Sequence, residues 1–174
     1  MIPQALLVAL GLLALYGEDK TAEGKAEQLV SIAAAVHEAA AAQKSWPGTK
    51  RELELLLLTI GHAESGFSMR IGAGEFRRWE SDPGRDGVAR AHSFWQIHKA
   101  AASSEEAWLA AKTDVRVAAR EAARALTRAR YVCRGTTGDW LTETLRGYAG
   151  SGCRRSFKGE QARVATFRRL ERGK

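Results

Sequence analysis

The chain has 174 residues, enough for one domain with its own core. Hydrophobic residues make up 45% of it and charged residues 27%, which excludes an intrinsically disordered protein and favours a helix-rich fold. Lys and Arg outnumber Asp and Glu by 27 to 20, and the formal charge of +7 favours an anionic partner such as nucleic acid, acidic lipid or the bacterial cell wall.

An apolar run, residues 2–16, lies at the start of the sequence. No Lys or Arg precedes it and no small-x-small cleavage site follows it, which argues against a secretory signal peptide. As a helix it is slightly short for the ~30 Å hydrocarbon core of a bilayer. We expect an anchor, inserted in a membrane or in a partner assembly, and the alternative is an N-terminal helix packed on the chain's own core. The sequence thus predicts an anchor segment at residues 1–20 and one domain at residues 21–174.

Two helices are predicted next. Residues 25–44 carry one apolar stripe at helical spacing, formed by Leu29, Ile32, Val36 and Ala40. Trp46-Pro47-Gly48 ends this helix, and a second one is expected from Lys50 to about Glu64. Because the second helix is apolar nearly all round between Leu55 and Leu58, we expect it to be the central, buried helix.

Residues 65–98 contain many glycines and a proline, which predicts a loop-rich insert with at most short strands. An insert of this kind after a buried helix is a favourable place for a substrate cleft.

Helices resume after the insert. Ser103, with Glu106 three residues on, is a predicted N-cap. A long helix is expected over residues 113–134, a short one over 139–146 and a basic terminal one over 161–172. The long helix has an apolar face and, opposite it, a cationic stripe of Arg116, Arg120, Arg124 and Arg128. Because these arginines repel one another, the stripe suggests an acidic neighbour.

Cys133 and Cys153 are the two cysteines. A disulfide is expected if the protein works outside the cytosol, and free, partly buried thiols are the equally weighted alternative. Neither Cys-x-x-Cys nor His-Glu-x-x-His occurs, so we expect no metal and no cofactor.

Glu64 is the strongest catalytic candidate. It follows the apolar segment Leu53 to Ile60 at a predicted helix end. Desolvation and the partial negative charge of a helix C-terminus both disfavour a carboxylate, which favours a carboxyl group that keeps its proton and acts as a general acid. A solvated acid at a helix end is the alternative.

Three segments carry a family resemblance. They are Glu64-Ser65-Gly66-Phe67, Ser93-Phe94-Trp95-Gln96-Ile97 and Gly147-Tyr148-Ala149-Gly150. In this order and spacing they resemble the lytic transglycosylases and goose-type lysozymes of the lysozyme-like superfamily. The resemblance covers roughly Arg51 to Ser151 and implies a mainly α, lysozyme-like domain that cleaves the glycan strands of peptidoglycan.

The resemblance also implies roles for single residues. Glu64 would be the one catalytic acid. Substrate-binding positions would be Ser65, Trp95, Gln96, Ile97 and Tyr148. Gln96 offers a donor and an acceptor to an acetamido group, and Tyr148 would hold the carboxyl of Glu64. Trp79, Trp95 and Trp108 are candidates for a carbohydrate groove, although each is also a normal core residue.

The sequence departs from the family pattern at three places. Ser93 stands where the family has Gly, Trp95 replaces Met, and the Asn of the third segment is missing. These departures concern the sugar subsites more than the chemistry.

The reaction expected from the resemblance needs no second carboxylate, because the acetamido group of the muramyl sugar assists and its own 6-hydroxyl attacks to leave a 1,6-anhydro end. A hydrolytic muramidase is the alternative, and it would need a second carboxylate. The loop acids that are candidates for that role are Glu75, Glu80, Asp82 and Asp86.

Two rival functions stay open. A metal-dependent wall peptidase would use His62, His92 and His98, which lack a paired ligand spacing. A non-enzymatic, basic virion or assembly protein would keep a degenerate lysozyme-like fold and bind nucleic acid through its arginine stripe. For the favoured function we expect a phage virion or the bacterial cell envelope as the location, with the membrane or an envelope assembly bound through residues 2–16.

Overall fold

The computed structural model describes residues 11, 23–75 and 90–173 of the chain. Within those residues the fold is mainly helical, as the sequence predicts. Its seven α-helices are α1 (Glu23–Ala42), α2 (Lys50–Ser65), α3 (Met69–Gly72), α4 (Glu105–Ala110), α5 (Val115–Val132), α6 (Trp140–Tyr148) and α7 (Glu160–Glu171). A short hairpin of β1 (Ala91–His92) and β2 (Ile97–His98) lies between α3 and α4, and a 3-10 turn, Lys99–Ala101, follows it.

Helix α2 is the central helix. It begins at a capping box, in which the Thr49 hydroxyl accepts from the Glu52 amide and the Glu52 carboxylate accepts from the Thr49 amide. Every side chain from Leu53 to Ile60 is at most 2% exposed, which confirms the expectation of a buried helix. Helices α1, α5 and α7 all pack against it.

Helix α5 forms a second layer, packed between α1 and α6. Asp114 caps its N-terminus by accepting from the amides of Arg116 and Val117. The predicted inward face is buried at Ala119, Ala122 and Leu126. The acidic neighbours suggested by the arginine stripe are present at two positions, since Arg116 pairs with Glu38 at 3.6 Å and Arg124 with Glu121 at 3.1 Å.

The predicted helix ends lie within two residues of those in the structure, with one cap misplaced. Ser104, not Ser103, caps α4 by accepting from the Ala107 amide. Ser103 instead donates its hydroxyl to buried Glu121 of α5 and so joins the two helices.

The described part of the insert agrees with the expected loops and short strands. The hairpin is antiparallel, with Ala91 opposite His98 and His92 opposite Ile97. Trp79, Glu80, Asp82 and Asp86 lie outside the described residues.

Of the predicted anchor segment, residues 1–20, only Gly11 lies in the described part of the chain. It is helical and half-buried, and a Cβ added to it would lie 3.3 Å from Cδ1 of Leu58 and 3.8 Å from Cδ2 of Leu170. Gly11 therefore lies against α2 and α7. Among the described helices, none has both the length and the apolar character needed to cross a membrane.

Candidate functional site

The C-terminal end of α2 presents Glu64 at the surface of the core. Gly66 ends the helix in a left-handed conformation, φ 56°, and its amide donates to the carbonyl of His62. The Ser65 hydroxyl donates to the Gly61 carbonyl at 2.8 Å and accepts from the Phe67 amide at 3.1 Å. Ser65 thus fixes the turn that carries Glu64.

Phe67 anchors this turn in the core. It is fully buried at a φ of 49° and packs edge-on against the rings of Phe94 and Trp95. Gly61, one helical turn before Glu64, leaves the space for this ring, because an added Cβ would lie 2.4 Å from Phe67 Cε1. The end of α2 is therefore locked by packing as well as by its cap.

The β1–β2 turn is tied to α2 by Trp95. Its indole nitrogen donates to the Leu57 carbonyl at 2.7 Å, and its side chain is 0% exposed. Ser93 and Gln96 both have left-handed backbones, with φ of 75° and 50°. Such strain in non-glycine residues occurs mostly where the surrounding structure holds a functional segment in place.

Tyr148 is the last residue of α6 and lies beside Glu64. Its hydroxyl donates to the Trp95 carbonyl at 2.6 Å. Burial raises the pKa of Tyr148, and the negative charge of Glu64 raises it further, while Arg163 opposes them. Tyr148 is therefore a neutral hydrogen-bond donor, and in this structure its one proton goes to the hairpin and not to the Glu64 carboxyl.

Arg163 of α7 forms an ion pair with Glu64, with 2.5 Å between Nη2 and Oε1. Both side chains are mostly buried, 15% exposed for Arg163 and 25% for Glu64. The Glu64 carboxyl group is therefore engaged by a guanidinium in this structure. No local sequence signal reveals this partner, because the two residues are 99 positions apart.

These residues face one open cleft of about 890 Å³. Glu64, Gln96 and Tyr148 line it together with one face of α5, represented by Arg128 and Ala129. Among the described residues that line the cleft, Glu64 is the only acid. Four basic side chains line it as well: Arg124, Arg128, Lys158 and Arg163.

Three predicted substrate-binding residues do not line this cleft. Trp95 and Ile97 are core residues, 0% and 2% exposed, and the Ile97 carbonyl accepts from the indole of Trp108. Stacking on a sugar needs an exposed ring face, so the stacking role expected for Trp95 does not fit its burial. Trp95 acts on the cleft through its carbonyl, which holds Tyr148. The hydroxyl of Ser65 is engaged within its own turn.

The histidines of the rival metal site are spread over three environments. Burial lowers the pKa of His62 in α2, with Arg169 adding to the effect, and burial also lowers the pKa of His92, which stacks on Trp108 at 4.2 Å. His98 lines the cleft. No three His, Cys, Asp or Glu side chains are grouped to hold a metal ion in residues 23–75 and 90–173. Of the loop acids, Glu75 is described, and it is exposed.

Cys133 and Cys153 form a disulfide at the floor of the cleft. The bond joins the C-terminal end of α5 to the loop between α6 and α7. Gly147 packs against it so closely that an added Cβ would lie 2.9 Å from Cys133 Sγ. The disulfide alternative of the sequence analysis is thus the one in the structure, and the cross-link holds the α6–α7 loop against α5.

Sequence reasoning missed most of the basic wall of the cleft. Lys158 lies in the α6–α7 loop and Arg163 in α7, a region for which the sequence predicts only a basic terminal helix over residues 161–172. Arg124 and Arg128 belong to the predicted stripe, but nothing in their spacing indicates that they line the same cleft as Glu64.

Comparisons with protein-family models, with curated proteins and with solved structures gave no match. The described lining of the cleft offers one partly buried carboxyl group, one amide and one phenol within a basic rim, and the cleft is large enough for several sugar rings.

Proposed function

We propose that the protein is a peptidoglycan lytic transglycosylase with a lysozyme-like fold and that Glu64 is its single catalytic acid and base. The observation that carries the proposal is the meeting of Glu64, Gln96 and Tyr148 at one cleft. These residues come from the three sequence segments on which the family resemblance rests, and 84 positions of chain separate the first from the last.

The proposed reaction uses Glu64 twice. Its carboxyl proton goes to the glycosidic oxygen as the C1–O bond breaks, and that bond's electron pair stays on the leaving sugar. The 6-hydroxyl of the muramyl sugar then attacks C1 and returns its proton to the Glu64 carboxylate. Atoms balance without water, because one glycan strand becomes a 1,6-anhydro end and a free 4-hydroxyl end.

The surrounding residues have roles that suit this chemistry. Gln96 is half-buried at the cleft, where its side-chain amide is within reach of an acetamido group. Tyr148 fixes the hairpin turn that carries Gln96 by donating to Trp95. Ser93 adds support, because its left-handed φ of 75° suits the glycine that the family has there.

An oxidising location belongs to the same proposal. Disulfides such as Cys133–Cys153 persist outside the reducing cytosol, which suits a phage virion or the periplasmic face of a bacterial envelope. The apolar residues 2–16 would attach the domain to a membrane or to an envelope assembly there.

Replacing Glu64 tests the assignment. Glu64→Gln keeps the shape of the side chain but cannot deliver a proton, so lysis of purified cell walls should fall about 100-fold or more. Glu171→Gln is the matched control, because Glu171 is an exposed acid away from the cleft. Circular dichroism of both variants checks the fold. Wild-type lysis by Glu64→Gln would remove Glu64 from the mechanism.

Two alternative functions can be distinguished from the proposed one by experiment. A hydrolytic muramidase on the same fold needs a second carboxylate, and three candidate acids, Glu80, Asp82 and Asp86, lie in the segment outside the described residues. A non-enzymatic protein that binds nucleic acid is favoured by the four basic side chains at the cleft. Steeply salt-dependent DNA binding without wall lysis would select the latter.

A further inference from the structure

The Glu64–Arg163 ion pair has to open before the proposed reaction can begin. In the structure the carboxylate accepts from the guanidinium at 2.5 Å. A general acid must instead donate a proton to the glycosidic oxygen. The state with Glu64 and Arg163 paired is therefore not the reacting state, and substrate binding has to replace this contact.

Arg163 is held in the cleft wall by contacts that do not depend on Glu64. Its Nη1 donates to the Lys158 carbonyl at 3.3 Å, and its guanidinium lies 4.9 Å from the centre of the Phe157 ring. When Glu64 turns to the substrate, these contacts keep the guanidinium where it is. Removing the anion from a mostly buried cation costs free energy, because no partner charge then compensates for the desolvation of the cation.

The described lining of the cleft supplies no second anion to take the place of Glu64. Another basic residue of the lining, Arg124, already pairs with Glu121, at 3.1 Å. A substrate carboxylate is the group that restores the charge balance at Arg163. A neutral glycan offers no such group, so Glu64 stays paired with Arg163.

We propose that Arg163 makes the cleft selective for glycans that carry a carboxylate next to the scissile bond. The substrate carboxylate pairs with Arg163, and the released Glu64 takes up a proton from solvent and then delivers it to the glycosidic oxygen. Peptidoglycan meets this requirement through the carboxylates of its stem peptides, or through the free lactyl carboxylate where no peptide is attached, whereas chitin carries no carboxylate. The inference rests on the proposed function and names the substrate feature that its site reads.

The test compares acidic and neutral glycans. Muropeptide-bearing glycan fragments are used as isolated and after carbodiimide amidation of their carboxylates, with chitotetraose as a second neutral probe. Affinity is measured by calorimetry and turnover by product release, for the wild type, Arg163→Gln and Arg163→Lys. Arg120→Ala is the matched control, since Arg120 is an exposed cation of α5 that does not line the cleft.

The wild type should bind the acidic fragments about tenfold or more tightly than the amidated ones, as expected for one desolvated charge pair. Arg163→Gln should lose this preference and keep its affinity for chitotetraose, while Arg163→Lys should keep part of the preference. Arg120→Ala should behave as the wild type does. Circular dichroism and the affinity for chitotetraose show that the fold and the sugar subsites of the Arg163 variants are intact.

The inference fails by itself if wild type and Arg163→Gln lyse walls and discriminate equally between acidic and amidated glycans. If neither glycan binds and no variant lyses walls, the proposed function fails and the inference with it. Displacement of the acidic fragments by a single-stranded oligonucleotide that binds more tightly through Arg163 would assign the guanidinium to phosphate and overturn the inference too.

Discussion

At the scale of single residues, the position of Glu64 depends on a glycine one turn earlier. Gly61 faces the Phe67 ring and lies near the Trp95 indole, so the helix end, the αL turn and the hairpin all meet at a residue with no side chain. Protein cores are packed too densely to accept an extra methyl group without movement. A small change here therefore reaches Glu64 through packing, without touching its charge.

Gly61→Ala should displace Phe67 and lower the stability by about 1–3 kcal/mol, the usual size of an overpacking effect. Ala has the better helix propensity, which offsets part of this loss. Chemical denaturation gives the change in the free energy of unfolding, and wall lysis should fall in parallel because the end of α2 moves.

Ala63→Ser is the control on the same helix. Ala63 is exposed, and its replacement should change stability by less than about 0.5 kcal/mol. A Gly61→Ala protein as stable as this control would show that the Phe67 ring has room to shift and that the packing at the end of α2 is not restrictive.

At the scale of elements, the loop between α5 and α6 is organised by one buried acid. Glu143 of α6 is 2% exposed and accepts from the amides of Gly135, Thr137 and Gly138 at 3.0, 2.6 and 2.9 Å. Burial by itself would raise the pKa of Glu143, but these amides, with Arg130, outweigh it and lower the pKa. The three loop amides have no helical carbonyl as an acceptor, and the Glu143 carboxylate takes that place.

Because the pKa of Glu143 is lower in the folded state, its ionised carboxylate stabilises the fold at pH values above the unfolded-state pKa of about 4.3. This contribution to stability is lost as the pH falls through the folded-state pKa. Glu143→Gln should cost about 1–3 kcal/mol near neutral pH, because an amide cannot accept all three bonds. The difference in unfolding free energy between wild type and variant should narrow as the pH falls from about 6 to about 3.

Glu38→Gln provides the matched comparison, because Glu38 is an exposed acid of α1 whose ion pair with Arg116 lies in solvent. Its stability should stay close to that of the wild type over the same range. If the difference in unfolding free energy between Glu143→Gln and the wild type were the same at all pH values, the ionisation of Glu143 would not contribute to the stability of this loop.

The helices were predictable from local signals, and the contacts between them were not. Short stretches of sequence are enough to indicate a helix. Asp139 precedes a short amphipathic run, and Leu53 to Ile60 form an apolar run. The pairing of Glu64 with Arg163 and the burial of Trp95 depend on how helices far apart in sequence meet. The residue types at these positions fit either a core or a binding role, so sequence alone leaves both roles open for Trp95, and only the packing shows that its ring lies in the core.

At the scale of the whole molecule, the excess of basic residues behind the formal charge of +7 is also found in the lining of the cleft. Four basic side chains and one acid line its described walls. A glycan strand with regularly spaced carboxylates is attracted to such a surface, and the attraction weakens with added salt. The composition, the basic cleft and the proposed anionic substrate therefore agree with one another.

The role of residues 2–16 is testable by deletion. If the segment is an anchor, the remaining domain should be soluble, folded and active, and only its attachment to membranes or to a partner assembly should be lost. Thermal unfolding and wall lysis of the truncated protein measure this directly. Because Gly11 lies against Leu58 and Leu170, a large loss of stability is the result that would instead assign the segment to the core.

The most direct test of the whole account is the mass of the products from digested peptidoglycan. Glu64 is the one carboxyl group in the described lining of the cleft, and the internal 6-hydroxyl has a high effective concentration, so cleavage should proceed without water as the acceptor. Mass spectrometry should then find muropeptides with 1,6-anhydromuramic ends, each lighter by one water than the hydrolysis product, and none from Glu64→Gln. Recovery of reducing-end muropeptides alone would contradict the account and point to a second carboxylate that activates water.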